Sequence, residues 1–96
     1  MSGGASIMTR IRVDDFDGWK SMFDRDRPRA RESATGYTLY RGLEDANEVF
    51  IRVDFASTGD AATAKQRLLE SGVLERFSDR SGPTVVEQVD VQERRS

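Results

Sequence analysis

The chain has 96 residues, 36% of them hydrophobic and 33% charged, with a formal net charge of −2. That length supports one hydrophobic core rather than two, and the charge balance gives no overall attraction to nucleic acid or to an anionic membrane. Neither cysteine nor histidine occurs, which excludes disulfides, thiolate nucleophiles, thiolate- or imidazole-bound zinc, histidine-ligated haem and Ser-His-Asp triads.

Residues 1–6 carry no basic start and no apolar stretch, so they read as a flexible leader rather than a signal peptide. Ile7, Thr9, Ile11 and Val13 then alternate with Met8, Arg10 and Arg12, the pattern of a strand with one apolar face. Asp14 and Asp15 stop it and can cap a helix, and Asp17 favours the helix dipole. Phe16, Trp19, Phe23, Ala30 and Ala34 fall on one face of that helix. Pro28 predicts a kink within it, and Gly36 an αL residue that ends it. Residues 37–43 form a second strand, Glu44-Asp45-Ala46-Asn47 a turn, and residues 48–55 a third strand, so these two strands make an antiparallel hairpin. Ser57 or Thr58 can cap a second helix through Ala61, Ala64, Leu68 and Leu69, ending at Gly72, and Val73, Leu74 and Phe77 belong to a short helical turn. Gly82-Pro83 is a break, residues 84–91 alternate as a last strand, and residues 92–96 form a flexible tail. No apolar run approaches a membrane span, and a cytoplasmic location is expected.

This order predicts one α+β domain over residues 7–91 with a ferredoxin-like β-α-β-β-α-β fold: a four-stranded antiparallel sheet with both helices on one face. The other face would carry Met8, Arg10, Arg12, Tyr40, Phe50, Arg52, Val86 and Gln88. A surface so mixed is poorly suited to full solvation, and packing two such sheets face to face would cover it. A homodimer is therefore expected.

The run Asp15-Phe16-Asp17-Gly18-Trp19-Lys20, then Phe23, Arg31 and Gly36, then Tyr40-Arg41 and Asp45-Ala46-Asn47-Glu48-Val49, resembles the dimeric α/β-barrel superfamily. The likeness spans roughly residues 7–91 and is nearest to small members related to antibiotic-biosynthesis monooxygenases. It implies pairing of two ferredoxin-like sheets into a barrel and a ligand cleft between sheet and helices. The activities it implies include cofactor-free oxygenation of polycyclic phenols, polyketide cyclisation and lactone isomerisation. The haem-degrading branch needs a histidine ligand that this chain does not have.

Tyr37, Tyr40, Arg41 and Arg52 form the most chemically capable polar set. A tyrosine can hydrogen-bond a phenol or enol oxygen, and an arginine can hold a developing enolate by charge-assisted bonds. Tyr40 and Arg41 are adjacent in a strand and point to opposite faces, so both cannot serve one pocket directly. Bonding across the sheet or a dimer interface is the plainer role for these residues. Trp19 reads first as a core anchor, with ring stacking on an aromatic ligand as its functional alternative. Asn47 is accounted for by its turn, and Asp54 by an ion pair with Arg52. The segment Asp14 to Gly18 lacks the alternating acids and terminal glutamate of a calcium loop, so no metal site is expected. Arg25, Arg27, Arg29 and Arg31 interleave with acids and read as a salt-bridged face, except that Arg31 matches a recurrent position of the resembled family.

The resulting expectation is a homodimeric α/β-barrel protein that binds a small aromatic or polyketide-like molecule without a cofactor. As an enzyme it would be a cofactor-independent monooxygenase or cyclase, with Tyr37, Tyr40 and Arg52 as catalytic residues and Trp19, Phe23 and Arg31 holding the substrate. The alternative is a non-catalytic dimeric module that binds a ligand or partner. Neither nucleic acid nor a membrane is an expected partner.

Overall fold

The computed structural model describes residues 4–25 and 31–92. Strand β1 (Ala5–Arg12) opens two residues before the predicted alternation and buries every second side chain: Ala5, Ile7, Thr9 and Ile11. Helix α1 (Phe16–Arg25) is capped as the aspartates predict, with Asp15 Oδ2 accepting from Gly18 N at 3.1 Å. Trp19 is its buried residue, and Phe16, Met22 and Phe23 pack around it.

The chain departs from prediction after α1. Residues 31–33 form a turn, and β2 (Ala34–Arg41) begins at a residue assigned to the helical face. Ala34 pairs with Phe55 of β3 (Glu48–Phe55), and Gly36 pairs with Asp54 across a register shift. Gly36 is thus an irregular strand position and not a helix end. The Ala34 position fits a helical stripe and a strand equally well, and pairing with β3 decides it. Pro28 and Ala30, with the kink expected at Pro28, lie outside the described residues, as do Arg27 and Arg29. The β2–β3 hairpin turns where predicted, with Asp45 Oδ1 accepting from Asn47 N at 3.0 Å.

Helix α2 (Thr58–Ser71) is fixed at both ends by the residues that mark them in the sequence. Ser57 Oγ accepts from Asp60 N at 3.1 Å, and Gly72 takes φ +74° while its N–H reaches Leu69 O. Ala61 and Ala64 are fully buried, and their small side chains let α2 sit close against the sheet. A 3₁₀ turn (Val73–Arg76) leads into β4 (Arg80–Glu87). This strand starts and ends four residues earlier than predicted, because Gly82-Pro83 lies inside it instead of breaking it. β4 is an edge strand in the sheet order β2-β3-β1-β4, where a missing proline N–H costs least. A register shift opposite Met8 and Arg10 accommodates the pair. β4 stops at Glu87 because its partner there, Ala5, is where β1 begins. Gln88 consequently lies beyond the sheet.

All strand pairs are antiparallel, and Trp19, Ala61 and Ala64 join the inward residues of β1 and β3 in one core, so both helices cover one face. The β-α-β-β-α-β order and ferredoxin-like architecture are those predicted. Among the described residues no helix is long and apolar enough to cross a membrane.

Candidate functional site

A cavity of about 150 Å³ lies between the sheet and the helices. Its floor is the inward face of β1 and β3, its walls are Trp19, Met22 and Phe23 of α1, and Leu74 and Phe77 close it from the 3₁₀ turn and the loop after it. The α1 residues lie there because their three- and four-residue spacing puts them on one helical stripe. The lining is almost wholly apolar. Polar side chains on it are Thr9, Arg31 and Arg76.

Trp19 begins a line of rings that leads away from the cavity. Its centroid is 5.1 Å from that of Phe23, and Phe23 is 5.2 Å from Tyr37, edge to face. Arg31 crosses the line: its guanidinium sits 3.7 Å above the Phe23 ring and 5.3 Å from that of Tyr37, and it donates to the Phe23 carbonyl. On the other side Phe16 stands 5.8 Å from Trp19 and carries the Arg41 guanidinium at 4.2 Å. These cation–π contacts hold both arginine heads on aromatic faces and pin β2 to α1.

The structure thus brings Trp19, Phe23 and Arg31 together on the cavity, with Tyr37 one ring behind them. Tyr40 and Arg52 lie on the opposite face of the sheet, where Tyr40 pairs with Phe50 and Arg52 with Thr38 and Met8. Arg52 Nη2 donates to Thr38 Oγ1 at 3.2 Å. Its Nε is 3.2 Å from Asp54 Oδ1, close enough for an ion pair but not aligned for a hydrogen bond. That ion pair is the role expected of Asp54, which also accepts from Ser6 Oγ at 2.6 Å. Arg10, on the same outer face, binds Glu48 at 2.6 Å and Asp79 at 2.7 Å. Those two carboxylates, Asp79 foremost, raise the Arg10 pKa further, and the Arg10 hydrogen bond lowers that of Asp79.

Two polar residues of the cavity, Thr9 and Arg76, were not among the site residues expected from the sequence. Thr9 could have been noticed as the one polar residue in the inward set of β1. Arg76 carries no such signal, since only the path of the chain from Gly72 to β4 brings it to the cavity. Among the described residues no cluster of acids could hold a metal ion.

Sheet order, helix placement and a partly open apolar cavity between the two layers define an α+β sandwich. Solved structures share this fold along nearly their whole length. A variant of SnoaB, a cofactor-independent oxygenase from Streptomyces nogalater, superposes with a TM-score of 0.70 at 13% identity, over 94% of this chain and 97% of that one. A protein from Nitrosomonas europaea described as an antibiotic biosynthesis monooxygenase gives 0.68 at 11% identity, over 93% of both chains. One similarly described from Bordetella bronchiseptica gives 0.66 at 22% identity, over 94% of this chain and 99% of that one. No protein-family model and no curated protein sequence matches the chain. The ferredoxin-like subunit implied by the sequence resemblance is the fold found.

Proposed function

We propose that this protein is a cofactor-independent monooxygenase acting on an ionisable aromatic compound, and that it works as a homodimer. The apolar cavity walled by Trp19 and Phe23, with the Arg31 guanidinium held against its rim, is the observation that carries this reading. Its likeness in fold to a cofactor-independent oxygenase supports it. A substrate methylene flanked by phenol or carbonyl groups loses its proton to solvent at the cavity mouth, giving an enolate that the fixed positive charge of Arg31 stabilises. The enolate passes one electron to dioxygen, and the two radicals combine into a carbon–peroxide bond. The peroxide takes a proton back from solvent and loses water to leave a ketone, so one oxygen atom enters the product and the other leaves as water. Trp19 and Phe23 would align the ring and keep water from the carbanion.

Tyr37 would act from behind Phe23, and Tyr40 with Arg52 would belong to the dimer face instead of this cavity. No carboxylate lines the cavity among the described residues, which favours a second reading, a binding module without catalysis. Turnover separates the two. With anthrone as substrate and a chelator present, oxygen uptake equal to the quinone formed is expected without added flavin, falling at least about tenfold in Trp19→Ala. Uptake no faster than in buffer alone overturns the oxygenase reading.

A further inference from the structure

The cavity volume of about 150 Å³ matches that of an engineered apolar protein cavity of about 150 Å³ that takes up a single benzene ring. One aromatic ring can be enclosed here, whereas a fused three-ring compound must project through the mouth. The lining also specifies where polar groups of a ligand belong.

Thr9 is 7% exposed, and among the described residues no side-chain hydrogen bond engages its hydroxyl. Arg76 occupies the mouth. It lines both the cavity and a wider recess of about 550 Å³ beside it, which Trp19, Met22 and Phe77 also border. Arg76 Nη1 lies 2.9 Å from Met22 Sδ, a weak acceptor, and among the described residues no carboxylate is within ion-pair distance of it. Its remaining donors form a planar fork suited to the two oxygens of a carboxylate. Arg31, the other guanidinium on the cavity, is already seated on Phe23 and donates to its carbonyl. Arg12, Asp14, Asp15 and Asp79 line the recess; Arg12 is paired with Asp45 and Asp79 with Arg10, so Asp14 and Asp15 repel a multiply charged anion more strongly than a singly charged one.

We infer that the cavity takes a single-ring aromatic carboxylate, its ring between Trp19, Phe23 and the sheet and its carboxylate bound by Arg76. The inference rests on reading this cavity as a ligand site, and not on the oxygenation step. Arg76 is then the residue that sets ligand class, by preferring an anion to a neutral ring of the same shape.

Trp19 is the only tryptophan of the chain and lines the cavity, so its fluorescence reports occupancy. Benzoate is expected to give a saturable change at about tenfold lower concentration than benzamide, its neutral counterpart. Arg76→Gln should abolish that preference while leaving benzamide binding within about twofold, and Arg76→Lys should restore part of it. Equal binding of benzoate and benzamide overturns the inference. So does an Arg76→Gln variant that weakens both alike, or the absence of a saturable change with either compound. Arg76-dependent benzoate binding by a protein that consumes no oxygen supports the inference and overturns only the oxygenase reading.

Discussion

Arg10 serves two carboxylates from different parts of the chain, Glu48 at the start of β3 and Asp79 just before β4. Through it the two strands that flank β1 are tied at the same end of the sheet. Asp79 is the exposed member, and the Arg10 hydrogen bond keeps its carboxyl more acidic in the folded protein than in the unfolded chain. A depressed folded pKa contributes stability that is complete above the unfolded value and drains away as pH falls through the folded one. Asp79→Asn should therefore lower the urea midpoint at about pH 7 and low salt, with the gap to the parent protein narrowing as the pH falls below the ordinary aspartate range. The effect should shrink with added salt, as expected for an exposed pair. A gap that stays constant with pH would assign the loss to something other than this charge.

At the scale of elements, β4 depends on one glycine. Gly82 has φ +89°, and a Cβ there would stand 2.5 Å from the Met8 carbonyl oxygen and 3.3 Å from Thr9 Cα, both backbone atoms that cannot step aside. Gly82→Ala should destabilise the protein by about 1–3 kcal/mol, read from chemical denaturation, and would loosen the edge next to Thr9. An unchanged midpoint would show that β4 can shift without cost. The same segment shows where local sequence signals fail. Gly-Pro marks a turn by local preference, but at an edge strand with a register shift the sheet absorbs both residues. Ala34 likewise carries no information on its own about whether it extends a helix or starts a strand. In contrast, Ser57 and Gly72 mark α2 correctly because capping is settled by side chain and φ within one turn. β3 was equally legible, since every second residue from Val49 to Phe55 is buried. The cavity was readable to the extent that it is a helical stripe, Trp19 and Phe23. Arg76 was not, because no periodicity links it to the residues it faces.

For the whole molecule, the helices leave one face of the sheet uncovered. Met8, Tyr40, Phe50 and Val86 on that face are between 37% and 50% exposed. Charges among them are already matched within the chain: Arg10 by Glu48 and Asp79, Arg12 by Asp45, and Arg52 by Asp54. A second copy could cover such a face without stranding an unpaired charge, the outcome that makes burial of ions costly. Phe50 sits near its middle, opposite Arg10 on one side and Tyr40 on the other. In an isolated subunit Phe50→Glu replaces a partly exposed side chain and should change stability by no more than about 0.5 kcal/mol. In a face-to-face dimer it places like charges against one another in an apolar contact. Light scattering at micromolar concentration should therefore give twice the chain mass of 10.8 kDa for the parent protein and the single mass for Phe50→Glu, which should still unfold cooperatively. A parent protein that scatters as a monomer would refute the dimer. A variant that remains dimeric would move the interface to another surface and leave Tyr40 and Arg52 facing water.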